Sequence, residues 1–168
     1  MSNPRVEYLQ EMFKYSTNRT AKLAEKFPED KRLVQLKPGK GHALWQIGHV
    51  AVSLDLITNC WIIGGKPSLP AKYSQKFSPG VMGGDDPSSD AGAYPSWEEV
   101  LAAYRGAAAQ TIELLNTIAD SDLPGELRGP VPDPARGFFG KLGQGLTGMA
   151  MHDSHHHGQL AMLKGLVS

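Results

Sequence analysis

His152-Asp153-Ser154-His155-His156-His157-Gly158-Gln159 gathers four of the six histidines of this 168-residue chain into one short stretch. The surrounding segment has the apolar periodicity of a helix, which we predict from about residue 140 to 166. Residues four apart lie on the same face of a helix. His152 and His156 can therefore present two imidazole nitrogens to one point, and the stretch predicts a helix that carries a pair of metal ligands.

The other two histidines, His42 and His49, lie in a second predicted helix from about residue 41 to 63. His49 shares a core-facing stripe with Trp45 and Val52. A divalent ion bound by imidazole usually needs a third ligand, and His49 is the predicted donor. Three protein ligands leave coordination positions open, as in catalytic sites. His42 is two turns away, about 10.5 Å by helix rise, so we expect it at the bundle mouth or on the surface.

Two neighbours of these ligands are candidate catalytic residues. Asp153 makes the segment read His-Asp-x-x-His, close to the His-Glu-x-x-His of zinc proteases, in which the glutamate is a base. Asp153 is either such a base or a carboxylate on the surface or behind an imidazole that it orients. His155, on an adjoining face, is either a donor to a ligand or an acid outside the coordination sphere, whereas His157 is expected to be solvated.

Two further helices are predicted from about residue 4 to 27 and from 97 to 119. Pro4 suits a first helical turn, and Ser96 with Glu99 forms a capping-box pattern. The sequence contains no alternating strand pattern. These features predict an all-α fold, a four-helix bundle with long crossover loops, as one domain over residues 1–168.

The long connection over residues 64–95 is rich in glycine, proline, serine and aspartate. Loops of this length are uncommon in compact domains unless they serve as functional covers or are disordered. Scattered aromatic residues favour a partly ordered cover. Trp45 and Tyr73 are expected to shape a substrate pocket near the mouth of the bundle.

Composition excludes several functional classes. Lys+Arg and Asp+Glu are both 17, and without a basic stripe the chain is not expected to bind nucleic acid. The most apolar run, residues 47–63, is interrupted by polar side chains, so no membrane span is expected. One cysteine, Cys60, suits a reducing compartment, and the N-terminus lacks the apolar core of a signal peptide. We predict a cytoplasmic protein.

His42-Ala43-Leu44-Trp45-Gln46-Ile47-Gly48-His49-Val50 and the stretch from His152 to Leu160 together resemble the DinB/YfiT-like superfamily of damage-inducible proteins. Residues 96–105 resemble that family's third helix. The resemblance implies a four-helix bundle, often homodimeric, with a three-histidine site for nickel, zinc, iron or manganese. By position, its ligands are His49, His152 and His156. Relatives commonly have glutamate and arginine where this chain has Asp153 and His157.

Characterised relatives include S-transferases and isomerases that use mycothiol or bacillithiol, and the metal-binding domain of ergothioneine-forming sulfoxide synthases. The resemblance therefore favours a metal-dependent transferase that joins a low-molecular-weight thiol to a small electrophile. A metal-dependent hydrolase, with ion-bound water as nucleophile and Asp153 or His155 as proton carrier, is the alternative enzyme. A third hypothesis is a non-catalytic, metal-stabilised bundle that serves in assembly or sensing.

Overall fold

A computed structural model of the chain describes residues 3–167. Within that range the backbone is helical apart from turns, loops and one isolated bridge between Glu126 and Lys141, so the predicted all-α class is confirmed. The α-helices are α1 (Pro4–Glu25), α2 (Ala43–Asp55), α3 (Ala71–Phe77), α4 (Trp97–Leu115), α5 (Asp133–Arg136) and α6 (Leu142–Val167).

The four predicted helices have counterparts in the structure, but their ends lie at different residues. The first and third end at Glu25 and Leu115, before the predicted 27 and 119, and the last runs from Leu142 to Val167 rather than from 140 to 166. The predicted helix over 41–63 begins at residue 43 and changes at its end into a π-helix, Leu56–Ile62. A π-helix has a wider turn than an α-helix and often lies at functional sites. The apolar sequence of this segment contains no signal for that change.

The four long helices form a bundle in which α1 and α2 each pack against both α4 and α6. Large apolar side chains fill the space between them, and Phe13, Val50, Val100 and Leu160 are each at most 1% exposed. Burial of a side chain of this kind contributes roughly 1.5–3 kcal/mol. This packing places α2 alongside α6, so that the two histidine-bearing segments meet inside the bundle.

His42 caps the N-terminus of α2. Its Nδ1 accepts a hydrogen bond from the backbone N–H of Trp45 at 3.1 Å, and its Nε2–H donates to the carbonyl oxygen of Ser88 at 2.9 Å. The side chain is fully buried, so the expectation of a surface position is wrong. The long connection packs over this end of α2, which explains why a histidine at a helix terminus is removed from solvent.

The connection over residues 64–95 contains α3 and two short 3-10 turns. Phe77, at the end of α3, is fully buried against Gly48 of α2. A Cβ atom at Gly48 would lie 2.3 Å from the Phe77 ring, so only glycine allows this approach. The approach brings the backbone of Phe77 next to His49.

None of the helices in residues 3–167 is long and apolar enough to cross a membrane.

Candidate metal centre

Three imidazole rings converge between α2 and α6. The Nε2 atom of His152 lies 3.2 Å from Nε2 of His49 and 3.2 Å from Nε2 of His156. One ligand atom from each ring can be chosen so that all three lie within 4.8 Å of one another. His49 and His156 are each 8% exposed, and His152 is partly buried. The structure thus brings together the three residues that the sequence predicts as metal ligands.

Hydrogen bonds at the Nδ1 atoms hold two of these rings in place. The Nδ1–H of His49 donates to the carbonyl oxygen of Phe77 at 2.8 Å, and the Nδ1–H of His156 donates to Oε1 of Gln46 at 2.5 Å. Because an amide oxygen can only accept, both Nδ1 atoms carry the hydrogen. In the neutral rings both Nε2 atoms therefore present a lone pair, which is the arrangement of a metal-ligating imidazole.

Hydrogen bonding alone does not satisfy these three nitrogens. The Nε2 of His152 carries at most one hydrogen and can donate it well to only one neighbour, which leaves lone pairs facing each other at 3.2 Å. Imidazole nitrogens at about 2.0–2.1 Å from a tetrahedral ion are about 3.3 Å apart. The donor set fits a divalent transition metal in both chemistry and spacing.

Burial keeps all three rings neutral at physiological pH. It lowers the pKa of His49 and is the largest cause that lowers the pKa of His152 to about 4, with smaller electrostatic contributions from the neighbouring His49 and His155 rings. The pKa of His156 falls still further, again chiefly through burial and then through His152 and His49. Neutral imidazole is the form that coordinates a metal.

Trp45 supports the site from one side. Its ring stacks on the His49 imidazole with a centroid distance of 4.8 Å and an interplanar angle of 4°. Tyr73 lies further out, buried against Phe77 at a centroid distance of 5.6 Å. Neither residue is among those that line the cavity beside the histidines, and a substrate pocket shaped by Trp45 and Tyr73 stays a prediction.

That cavity has a volume of about 210 Å³ and opens beside His49 and His152. Its wall comes from α2, from the π-helix, from the turn over residues 78–82 and from the chain at Ala135 and Phe139. Both crossover connections thus contribute residues to the cavity wall. Their arrival at this point depends on the tertiary fold, and the sequence contains no local signal for it.

Asp153 points away from the three imidazoles. It is fully buried, and its Oδ1 accepts from the Tyr104 hydroxyl at 2.6 Å while its Oδ2 accepts from Thr20 at 3.0 Å and from Ser16. Successive residues on a helix lie about 100° apart, so the residue after His152 faces α1 and α4 instead of α2. The roles suggested by the sequence, a base at the metal or a carboxylate behind an imidazole, do not match this position.

His155 and His157 lie outside the group. His155 is exposed and its Nε2 accepts from the side-chain amide of Gln159 at 3.0 Å, although its ring touches that of His156 edge-on with centroids 5.2 Å apart. His157 is partly buried, and its Nε2 accepts from the Arg19 guanidinium at 3.1 Å. The expectation that His157 is simply solvated is therefore wrong.

Sequence reasoning missed the two groups that orient the ligands. Gln46 lies three residues before His49, and residues at this spacing share a helix face, so the pattern Gln46-x-x-His49 was an available signal. The Phe77 carbonyl gives no such signal, because any residue supplies a backbone oxygen.

Comparison with known families gives one match. A sequence profile for the DinB superfamily matches residues 12–160, which include all three histidines of the group and Gln46. A comparison with curated proteins gives no match.

Proposed function

Because the chain belongs to the DinB superfamily, we propose that it binds one divalent transition-metal ion through His49, His152 and His156 and is a metal-dependent transferase. Its substrates would be a low-molecular-weight thiol and a small electrophile. One observation carries the proposal: three buried imidazole nitrogens converge, and hydrogen bonds from two of the rings turn their Nε2 lone pairs toward the shared point.

The donor set narrows the choice of metal. The group contains three imidazoles and no carboxylate, since Asp153 faces the other side of α6. Imidazole suits zinc, nickel and iron, whereas manganese prefers carboxylate, carbonyl and water oxygens. Of the four metals that the family resemblance implies, we therefore favour zinc, nickel and iron.

A bound divalent ion would lower the pKa of a coordinated thiol and so raise the thiolate fraction at neutral pH. The residues of this chain hold and shield the site. Trp45 covers one face of His49, and the apolar cavity wall beside His152 limits the access of water, which strengthens electrostatic interactions there. In the reaction the sulfur forms a bond to the electrophilic carbon, the leaving group departs with the electron pair of its bond, and the thiol proton passes to solvent.

The placement of the proton-carrying side chains favours the transferase over a hydrolase. A thiol has a pKa near 8.5 and loses its proton readily, but bulk water, with a pKa of about 15.7, needs far more activation. The carboxylate of Asp153 is turned into the bundle, and His155 is exposed outside the three-histidine group. Neither is among the residues that line the cavity beside His49 and His152, where a proton carrier for bound water would be needed.

The activity test uses protein loaded in turn with zinc, nickel and ferrous iron. A panel of low-molecular-weight thiols is mixed with chromogenic aryl halides, and both thiol consumption and product formation are followed. We expect thiol-dependent turnover that disappears in His156→Ala and persists in Gln10→Leu, because the Gln10 side chain donates to Asn116 instead of contacting a proposed metal ligand. Turnover with water alone would favour the hydrolase, and its absence with every metal and thiol would favour a non-catalytic bundle.

Homodimerisation remains a prediction. Large apolar side chains are exposed on α1 and α6, among them Tyr8 at 68% and Met151 at 55%. Such surfaces are common where copies of a chain associate. Light scattering across a concentration series gives the mass in solution, and a mass equal to one chain at all concentrations would contradict the prediction.

A further inference from the structure

The cavity beside the histidines has the size of a small-molecule site. Its volume of about 210 Å³ exceeds that of a dry, engineered protein cavity of about 150 Å³ that binds benzene. His49 and His152 form part of its wall. A ligand inside it would therefore contact two of the three proposed metal ligands.

The wall is apolar and carries no formal charge. Val52, Leu56 and Ile57 form one side, and Trp61 meets Phe139 edge-on at a centroid distance of 5.3 Å to form an aromatic corner. The described lining residues include no aspartate, glutamate, lysine or arginine. In the metal-free protein, a charged group placed here would lose its hydration without gaining a charged partner, at a cost of several kcal/mol or more.

The π-helix builds much of this wall. Leu56, Ile57 and Trp61 all belong to it, whereas Val52 lies one turn earlier on the regular part of the same helix. Because a π-helix is rare and is found frequently at functional sites, its position at the cavity is a second observation that points to binding.

The polar groups on the wall are few and neutral. Ser53 and Ser78 are the two hydroxyl-bearing residues among the described lining residues. A serine hydroxyl can donate to or accept from a neutral oxygen or nitrogen but does not neutralise a carboxylate. The cavity thus matches a ligand that is mostly apolar and carries at most a neutral polar substituent.

We propose that this cavity binds an uncharged ligand whose apolar part is about the size of one substituted aromatic ring, and holds it against His49 and His152. Low-molecular-weight thiols of cells carry charged or hydroxyl-rich groups, which this wall does not match. The identification of the ligand as the electrophilic substrate rests on the proposed function. Binding itself does not, because the wall is complete without a metal.

The test compares benzyl alcohol with benzoate, which have similar size but differ in charge. Their affinities are measured by ligand-observed NMR and calorimetry on the full chain, both after treatment with a chelator and after zinc loading, with benzoate used only on the chelated form. Leu56→Trp fills the cavity. Leu9→Trp is the matched control, because Leu9 is also partly buried and lines a separate apolar hollow between α1 and α6.

We expect benzyl alcohol to bind both forms, and benzoate to bind the chelated form at least tenfold more weakly. Leu56→Trp should abolish binding and Leu9→Trp should retain it, with circular dichroism showing that both variants are folded. Met82→Trp, from the turn opposite, replaces Leu56→Trp if that variant does not fold.

Three results would overturn the proposal: no binding of benzyl alcohol to either form, equal binding of benzoate, or loss of binding in Leu9→Trp but not in the cavity-filling variant. Zinc binding is measured on the same samples. A protein that takes up zinc but not benzyl alcohol refutes this inference alone, whereas one that binds benzyl alcohol but not zinc refutes the proposed function alone.

Discussion

Replacement of Gln46 by leucine tests whether the site is a metal centre whose ligands are oriented from behind. Gln46 is 8% exposed, and its Oε1 accepts the Nδ1–H of His156 at 2.5 Å. Its side-chain nitrogen points to the carbonyl oxygen of Gly41 at 3.5 Å, which supports this orientation of the amide. Leucine has a similar volume but no acceptor, so Gln46→Leu removes the partner of His156 without a large cavity.

The size of the effect follows from the charge that the ring would carry. A metal-bound imidazole is a stronger donor than a neutral one, and a hydrogen bond to a charged group contributes about 1.5–3 kcal/mol. Loss of such partners of metal ligands typically lowers affinity about 10–100-fold, or about 1.4–2.7 kcal/mol. We expect a decrease in zinc affinity within that range, together with a ring of His156 that is no longer held in place.

Zinc affinity is measured by competition with a chromophoric chelator. Gln10→Leu is the matched control, because Gln10 on α1 is partly buried and its side chain donates to Asn116 instead of contacting a proposed metal ligand. Its affinity should stay within about threefold of the parent, which is less than the effect of one net hydrogen bond. An unchanged affinity in Gln46→Leu, or an equal loss in both variants, would refute the reasoning.

Three further predictions concern stability. Tyr104→Phe removes the hydroxyl that donates to the buried carboxylate of Asp153 at 2.6 Å and should lower the free energy of unfolding in urea by about 1.5–3 kcal/mol. Gly48→Ala places a Cβ atom 2.3 Å from the Phe77 ring and should cost about 1–3 kcal/mol in the same assay, with a parallel loss of zinc affinity. Burial lowers the pKa of His152 to about 4, so the metal-free fold opposes its protonation. The stability that depends on neutral His152 is fully present above the unfolded pKa of about 6.5, and about 3 kcal/mol of it should be lost as the pH falls to 4.

Each of these has its own control. Tyr15→Phe should leave stability unchanged, because Tyr15 is 66% exposed. Gly158→Ala should stabilise by about 0.5–1 kcal/mol, since a Cβ atom there meets nothing within 4 Å. The effect of acid is taken as the difference in the free energy of unfolding between the chelated parent and His152→Gln at each pH. A difference that does not vary with pH would contradict the assignment, as would equal effects of the two tyrosine or the two glycine substitutions.

The sequence was sufficient to predict the three histidines and the helices that carry them. The spacing of His152 and His156 constrains both side chains to one face, and the apolar stripe around His49 indicates that it faces the core. The structure confirms this all-α framework and brings the three side chains together. Local periodicity was enough for these predictions because each depends on one helix at a time.

The predictions that failed depend on contacts between distant parts of the chain. One alternative for Asp153, a base at the metal, required it to face the other ligands, but α6 is buried on two sides, and Asp153 lies on the side that packs against Tyr104 and Ser16. Hydrophobic periodicity indicates which sides of a helix are buried, but it does not indicate which neighbouring helix each side contacts. The sequence did not predict the cavity wall at Met82 and Phe139 for the same reason. Both residues come from crossover segments whose paths depend on the whole fold.

The most direct test of the central claim is the metal content of the purified, tag-free protein by plasma mass spectrometry, beside His49→Ala, His156→Ala and His155→Ala. We predict about one divalent transition-metal ion per chain in the parent and in His155→Ala, and loss of the ion in the other two variants. A parent that neither contains nor takes up such a metal would contradict the account, as would retention of the metal in His49→Ala and His156→Ala.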